Sequence, residues 1–459
     1  MFAQLLQPEI RELIDNKNFA VLKDVFSNWP AADLAELLSG LDEDEQPVIF
    51  RLLPRELSAQ TFEHLNIDAQ KNLMANLGRK MVAGILNEMS PDDRTALLEE
   101  LPGKLLNNIL SLLSKEERDI AKTLLGYPEN SVGRLMTPDY IAVRENLTVS
   151  QVLDHIRKKG HDSETLDVIF VIDGSGYLKA EIKIRQLLLS HPRKKVSDIM
   201  DDNFPALSAL DDQERAVFLF KKYDVYALPV LDSEGVLLGI VTVDDVLDVA
   251  EEEVTEDIHK MGGMEALEDP SMEEPILRLT RKRAGWLVVL FLGELLTATA
   301  MSYFEEEIAR AVVLTLFLPL IISSGGNSGS QASTLVIRSM AIGEISLRDW
   351  WRVLYREIAS GLMLGLILGA VGFMRVAFWH NIFGVYGVHW FAVGTTLAIT
   401  LLGVVMWGTI IGAMLPFILK RFRLDPATSS APFVATIVDV IGLLIYFNVA
   451  YLILKGSLL

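Results

Sequence analysis

The sequence predicts a multidomain chain: an all-α superhelical N-terminal domain, an α/β domain with an internal repeat, an acidic connecting helix and a five-helix transmembrane domain. Three observations support this prediction: short segments with helix-start signals, a strand and helix pattern that occurs twice, and five long apolar stretches. At roughly 150 residues per domain, the 459 residues suffice for several domains. The predicted boundaries are 1–130, 131–250, 251–280 and 281–459.

Segments of residues 1–130 such as "WPAADLAELLSGL", "SPDDRTALLEELP" and "SKEERDIAKTLLG" begin with Pro, Ser or Asp and continue with apolar residues at helical spacing. This order is a helix-start signal. Because it recurs at irregular intervals, we expect a small helical superhelix. The segments contain no catalytic constellation.

The next region alternates strands and helices, and it does so twice. "DVIFVIDGSGYLKAEIKIRQLLL" is matched by "ALPVLDSEGVLLGIVTVDDVLDV", with hairpin turns predicted at 173–176 and 232–235. The pattern resembles a tandem pair of CBS modules, which pair back to back and often bind adenine nucleotides. In that family a Thr or Ser and an Asp three residues later contact the nucleotide, and Thr242 and Asp245 match these positions. The first repeat has Lys183 and Gln186 there, so nucleotide binding and a purely structural pair both stay open.

Charge is distributed unevenly along the chain. The formal net charge is −19, yet residues 276–459 contain 14 Lys and Arg against 9 Asp and Glu, so the acidic excess lies in residues 1–275. Such a surface repels nucleic acid and attracts cations. The chain has no cysteine, which excludes disulfides, iron–sulfur clusters and thiolate zinc sites. The sequence shows no nucleophile paired with a general base and no phosphate-binding loop. Nothing in it therefore indicates an enzyme.

The predicted connecting helix is dense in acidic residues and leads directly into the first apolar stretch. Mg²⁺ prefers carboxylate and water oxygens and needs only one or two carboxylates at each site. The segment is therefore a candidate cation sensor, and a merely solvated acidic helix is the alternative.

Five apolar stretches follow, each of about 20 residues or more, which is enough for a helix to cross a ~30 Å hydrocarbon layer. Basic residues precede the first stretch and occupy the links between stretches two and three and between four and five. Because Lys and Arg gather on the cytoplasmic side, we expect the N-terminus inside and the C-terminus outside. The predicted spans are 284–303, 311–337, 354–379, 390–419 and 432–454.

The second stretch contains the segment "LPLIISSGGNSGSQASTLVIRS", which predicts a helix interrupted at Pro319 and at the glycine cluster. Backbone groups in hydrocarbon must be satisfied, so we expect this segment to be packed in protein or to line a wet cavity. Acids within spans are costly and are functional candidates. Asp439 is a candidate cation site, with pairing to an interhelical donor as the alternative, and Glu294 is either a packing residue or part of a pathway.

"PLIISSGGNSGSQASTLVIRS", "GAMLPFILKRFRLDPA" and "PFVATIVDVIGLLIYF", behind repeats that end in "GIVTVDDVLDVAEEEVTEDIHKMGG", resemble the MgtE family of magnesium transporters or channels over essentially the whole chain. The resemblance implies a homodimer in the bacterial cytoplasmic membrane, with a pore between the two five-span domains. It places the pore aspartate at Asp439 and a backbone contribution at Ala435. The position two residues after the aspartate, often Thr in the family, is Ile441. The family's signature falls on Gly325, Gly326, Asn327, Gly329 and Gln331.

These residues suit a hydrated cation. Asn327 and Gln331 supply neutral oxygens, and we expect the glycines to let the backbones of two subunits approach. A carboxylate ring with carbonyl and amide oxygens matches an ion that passes with most of its water.

The resemblance also implies that the acidic cytoplasmic region senses intracellular Mg²⁺. We expect Mg²⁺ to bind between carboxylates, to compact the domains and to close the pore. The candidate regulatory residues are Asp92, Asp93, Asp224, Asp245, Asp248, Glu252, Glu256 and Asp257.

Three alternatives remain open at this stage. Oxygen ligands without His or Cys favour a hard ion over a softer one but cannot separate Mg²⁺ from Mn²⁺, so a transporter of another divalent cation, Mn²⁺ or Co²⁺, is one alternative. A Mg²⁺ exporter is the second. The third is a membrane-anchored CBS sensor, which would need neither Asp439 nor the glycine cluster.

Overall fold

The structure, a computed structural model, describes residues 2–267 and 275–455. The chain divides into two compact units, Met1–Ala250 and Glu251–Leu459.

The first unit begins with short helices whose apolar faces share one core, which confirms the predicted all-α N-terminal domain. Polar caps fix several helix starts: the side chain of Asn66 accepts the N–H of Ala69, and Ser114 accepts that of Glu117. The helices are α1 Phe2–Asp15, α2 Phe19–Phe26, α3 Ala31–Ser39, α4 Gln46–Phe50, α5 Arg55–Glu63, α6 Ile67–Asn76, α7 Arg79–Glu88, α8 Pro91–Glu99, α9 Gly103–Leu110 and α10 Lys115–Leu124.

The predicted repeat is confirmed by two three-stranded sheets of the same topology in the described part of the chain. In each, the first strand is parallel to the second and the second is antiparallel to the third. Gly176 and Gly235 have positive φ angles of 90° and 92° in the two predicted hairpin turns. The elements are α11 Val132–Leu135, β1 Ala142–Val143, α12 Val149–Lys159, β2 Val168–Ile172, β3 Leu178–Lys183, α13 Ile184–Leu189, β4 Leu207–Ser208, α14 Gln213–Tyr223, β5 Ala227–Leu231 and β6 Leu237–Thr242.

The connecting helix, α15, runs over Val243–Met261 and starts directly after β6. It therefore begins earlier and ends earlier than the predicted 251–280. The helix stops because Gly263 has a φ of +74°, which is left-handed backbone that favours glycine. Residues 268–274 of the predicted connector lie outside the described residues.

The second unit contains five described helices that are long and apolar enough to cross a membrane, as predicted. The short helix α17, Glu305–Arg310, and a 3₁₀ turn at Val312–Phe317 separate the first two. Valine, leucine and aromatic side chains of the later spans form the main core of this unit. The spans are α16 Ile276–Tyr303, α18 Leu318–Ala341, α19 Trp350–Phe383, α20 Trp390–Arg421 and α21 Ala431–Leu454.

Candidate functional site

The glycine-rich segment is a continuous helix, so the predicted interruption is wrong. Pro319 lies in the first turn of α18, where a missing N–H leaves no helical bond unmade. A Cβ atom on Gly325 would lie 2.5 Å from Val404 of α20, and one on Gly408 would collide with the carbonyl of Gly325. These glycines therefore let α18 and α20 of one chain pack closely, whereas the sequence had suggested an approach of two subunits.

Three polar side chains of α18 lie on a different face from its buried glycines. Ser323, Asn327 and Gln331 are exposed and four residues apart, which places them on one side of the helix. The amide of Asn327 donates to the hydroxyl of Ser323 over 3.3 Å. Exposed amides are costly in hydrocarbon, so this face requires another polypeptide or water.

Asp439 and Ala435 lie one turn apart on α21, and both are half-buried. Ala435 contacts the buried Gly326 of α18, which is the residue before Asn327. No donor among the described residues bonds or pairs with the Asp439 carboxylate. The alternative of an interhelical donor for Asp439 thus finds no support in the described contacts.

Glu294 lies on α16, the first of the five spans. Its neighbour Gly293 packs against Thr436, because a Cβ atom there would lie 2.6 Å from the Thr436 methyl group. The side chain of Glu294 is exposed, and its charge is near enough to Asp439 to repel it. Two acids of different spans thus lie close together in the membrane unit.

A second group of acids forms in the first unit, between α8 and the start of α15. The hydroxyl of Thr242 donates to the Asp245 carboxylate over 2.6 Å. Burial, and then repulsion by Asp92, raises the pKa of Asp245 to about 9. Burial and the neighbouring Asp93 raise the pKa of Asp92 to about 7.

Sequence reasoning missed three further members of this acidic cluster, Glu63, Glu164 and Asp244. The carboxylate of Glu63 accepts a hydrogen bond of 2.9 Å from the backbone N–H of Ser90. This bond lowers the pKa of Glu63, but burial has the larger effect and raises the pKa to about 7. Partial burial followed by repulsion from Asp92 raises the pKa of Glu164. We use the name acidic cluster for Glu63, Asp92, Asp93, Glu164, Asp244 and Asp245.

The acidic cluster is not a ready-made metal cage. Among the described residues, no three Asp, Glu or His side chains converge closely enough to hold a metal ion. A hydrated Mg²⁺ ion needs only one or two carboxylates, so the cluster can still attract such ions.

The other predicted regulatory acids lie elsewhere. Asp224 ends α14 in the left-handed conformation, and Asp248 and Glu252 are exposed on α15. Glu256 pairs with Lys260. Burial, and then repulsion by Asp425, raises the pKa of Asp257 to about 6.

The candidate nucleotide positions differ between the two repeats. Thr242 is buried, and its hydroxyl is already bonded to Asp245. In the first repeat the backbone N–H of Lys183 donates to the amide oxygen of Gln186 over 3.1 Å. The first repeat therefore has a local helix cap and no carboxylate acceptor for a ribose at these positions.

Models of three families match consecutive parts of the chain. A model described as the MgtE intracellular N domain matches residues 29–130, and the CBS domain model matches 132–188 and 196–252. A model described as a divalent cation transporter, MgtE, matches 318–449.

Curated relatives named magnesium transporter MgtE include proteins from two bacteria. The protein from Thermus thermophilus is 41% identical over 73% of this chain and 72% of its own length. The protein from Bacillus subtilis is 30% identical with the same coverage of both chains.

Solved structures that are similar to this chain include two soluble parts of magnesium transport proteins. The cytosolic domain of the Mg²⁺ channel MgtE in complex with ATP has a TM-score of 0.51 and 35% identity, and it covers 53% of this chain and all of its own. The soluble part of a magnesium transporter has a TM-score of 0.52 and 27% identity, with coverage of 55% and 99%.

Proposed function

Because the chain belongs to the MgtE family of divalent cation transporters, we propose that it carries Mg²⁺ across the bacterial cytoplasmic membrane as a homodimer gated by intracellular Mg²⁺. It is a multi-pass membrane transporter and not an enzyme. The observation that carries the proposal is Asp439, a half-buried carboxylate in the fifth span with no protein donor among the described residues.

The ion pathway runs past Asp439 and the polar face of α18. The contact between Gly326 and Ala435 holds Asn327 beside the span that carries the carboxylate. One carboxylate from each subunit, with amide and carbonyl oxygens nearby, balances a divalent cation that keeps its water. The magnesium named for the curated relatives supports Mg²⁺ as the substrate here.

A second copy of the chain covers the surfaces that a single copy leaves open. The exposed amides of Asn327 and Gln331 would face lipid in a monomer. Dimerisation around these side chains encloses a water-filled path. Basic links between the spans support a cytoplasmic N-terminus and an outside C-terminus.

The acidic cluster acts as the sensor of intracellular Mg²⁺. Its carboxylates repel one another when they ionise, which opposes a compact cytoplasmic unit. Mg²⁺ neutralises this repulsion, stabilises the compact form and, through α15, closes the pathway. The raised pKa values of Asp92 and Asp245, caused by burial and by repulsion from neighbouring carboxylates, support this role.

The experiment is ion flux into liposomes that contain the purified full chain, with and without an imposed voltage. We expect Mg²⁺ entry that increases with inside-negative voltage and decreases when Mg²⁺ is high on the cytoplasmic face. Preference for Mn²⁺ or Co²⁺ would favour a transporter of another ion, and net efflux would favour an exporter. A complete lack of flux would favour a membrane-anchored sensor.

A further inference from the structure

An open groove crosses the helical N-terminal domain between α5, α7 and the turn before α10. Side chains of all three segments line it, including those of Ser58, Asn87 and Leu112. Its volume of about 1190 Å³ is large enough for a small organic molecule, since sites for such molecules measure roughly 300–1,000 Å³. In the described part of the chain, no residue of the acidic cluster lines this groove. The groove is therefore a cavity that the proposed Mg²⁺ sensing does not use.

Cationic side chains gather at the groove although the domain around it is acidic. Residues 1–130 contain 13 Lys and Arg against 22 Asp and Glu. Three cations, Arg51, Arg55 and Lys80, line the groove. Among the described residues, Glu117 is the one acid that does so. The groove thus reverses the charge balance of its own domain.

The three cations keep N–H donors for a ligand. The guanidinium of Arg51 donates to the carbonyl of Asn76 over 2.9 Å, which occupies part of its donor capacity. Nη2 of Arg55 lies 2.6 Å from a carboxylate oxygen of Glu88, yet the Arg55 side chain is still 69% exposed. Lys80 is exposed, and its ammonium has no carboxylate partner among the described residues. Each cation can therefore bind an anion without unfolding its surroundings.

The acid that lines the groove is already compensated. Glu117 pairs with Arg94. The side chain of Arg94 is buried, and it also donates to the carbonyls of Leu86 and Met89, which hold it in place. Because this ion pair is neutral overall, it does not cancel the positive charge of the three groove cations.

The floor of the groove is apolar and contains a glycine that packing does not require. Leu53, Ile85 and Leu113 are buried and line the floor. Gly84 lies inside α7, where glycine is less favourable than alanine. A Cβ atom there would have Nε of Arg55 as its nearest neighbour, at 3.9 Å, which is an ordinary contact. The missing side chain leaves the groove open beside the Arg55 guanidinium.

From this combination we propose that the groove binds a small organic anion in which a phosphate group is attached to an apolar or aromatic body. Guanidinium groups match phosphate oxygens with paired N–H donors, and Lys80 adds a compact charge. A phosphate ester carries close to two negative charges, which suits a site with several cations. The apolar floor contacts the body of the molecule. The site is independent of the proposed transport function.

The test is isothermal calorimetry of the full chain in detergent, without divalent cations and at physiological ionic strength. Naphthyl phosphate is the probe, and inorganic phosphate and naphthol are separate arms that supply the charge or the apolar body alone. We expect naphthyl phosphate to bind at one site per chain, at least about tenfold more tightly than either arm. Equal affinity for inorganic phosphate would overturn the assignment of an organic ligand.

Charge variants locate the site. Lys80→Gln and Arg55→Gln should each weaken the binding of naphthyl phosphate by about fivefold or more. Arg79→Gln is the matched control, because Arg79 is exposed and adjacent in sequence but does not line the groove. Its affinity should equal that of the wild type, since salt screens charges beyond about 8 Å. Glu88→Gln removes the carboxylate that competes for Arg55 and should tighten binding by about twofold or more.

A filling variant tests the cavity itself. Gly84→Leu places a side chain in the groove and raises the helix propensity of α7. We expect this variant to keep the wild-type oligomeric state and to lose the binding of naphthyl phosphate. If Gly84→Leu fails to fold, the exposed Lys80→Gln variant decides the same question.

Three results would overturn the proposal. The first is an absence of saturable heat with naphthyl phosphate in the wild type. The second is unchanged affinity in both Lys80→Gln and Gly84→Leu, which would place the binding outside the groove. The third is a loss of affinity in Arg79→Gln as large as that in Lys80→Gln, which would show general attraction to positive charge.

Discussion

A Cβ atom on Gly326 would lie 3.3 Å from the Cβ atom of Ala435, so the second and fifth spans touch one turn before Asp439. The residue after Gly326 is Asn327, whose amide is exposed. The contact therefore sets the separation between the polar face of α18 and the carboxylate of α21. A larger side chain at Gly326 would push these two elements apart.

The glycine contacts predict how strongly each of three Gly→Ala substitutions lowers the stability of the protein. At Gly329 a Cβ atom would lie 2.8 Å from Val434 and 3.0 Å from the backbone of Gly408, while at Gly285 the nearest atom is 3.7 Å away. Overpacking of this kind costs about 1–3 kcal/mol. We expect Gly329→Ala to lower the thermal unfolding temperature in detergent most, Gly326→Ala less, and Gly285→Ala not at all. Equal stability of all three variants would contradict the packing described here.

The acidic cluster predicts a pH dependence. Asp245, Asp92 and Glu63 have pKa values raised to about 9, 7 and 7 in the folded chain, against about 4 when unfolded. The unfolded chain therefore binds fewer protons, and stability falls as pH rises from about 4 to about 9. Without divalent cations, we expect faster proteolysis of residues 1–250 at about pH 8.5 than at about pH 6. Millimolar Mg²⁺ should remove most of the difference, and equal cleavage rates at both pH values would count against the cluster.

Asparagine variants separate the acidic cluster from ordinary surface acids. Asp92→Asn and Asp245→Asn each remove one carboxyl group that, when ionised, repels its neighbours and attracts Mg²⁺. We expect proteolysis of these variants to depend less on Mg²⁺ than in the wild type. Asp224→Asn is the control, because Asp224 has φ and ψ of 50° and 51° and asparagine tolerates that conformation. An effect of Asp224→Asn as large as that of Asp245→Asn would show a general charge effect.

The two repeats predict weak or absent ATP binding. Asp245 is bonded to Thr242 and belongs to the acidic cluster, and the first repeat has Gln186 at the matching position. Isothermal calorimetry of the full chain should show little heat with ATP. Tight stoichiometric binding that is lost in Asp245→Ala would overturn this prediction, and it would agree with the ATP complex of the similar cytosolic domain.

The sequence predicted the fold well where the signal is local. Apolar length identified the five spans, and the repeated strand pattern identified the paired sheets. The predicted helix break at Pro319 and the glycines was wrong, because the segment is one continuous helix. A high glycine content is found both in broken helices and in helices that pack closely against a neighbour. The connecting helix was misplaced because acidic composition marks a segment but not its first and last residues.

The candidate site was predictable only in part. Asp439 stands out because an acid within an apolar stretch is visible in sequence. Glu63 and Glu164 meet Asp92 only after several elements fold together, and neither has a distinctive local sequence. Lys260 and Asp425 are 165 residues apart, so their contact is a product of tertiary structure alone.

The most direct test of the account is Mg²⁺ flux through Asp439→Asn in liposomes, measured beside the wild type and Glu344→Gln. Glu344 lies outside the five spans and bonds to Ser339, so its variant controls for loss of one acid. We expect the Asp439→Asn protein to fold, to keep the wild-type oligomeric state and to show no measurable Mg²⁺ flux, while Glu344→Gln transports normally. Wild-type flux in Asp439→Asn would contradict it.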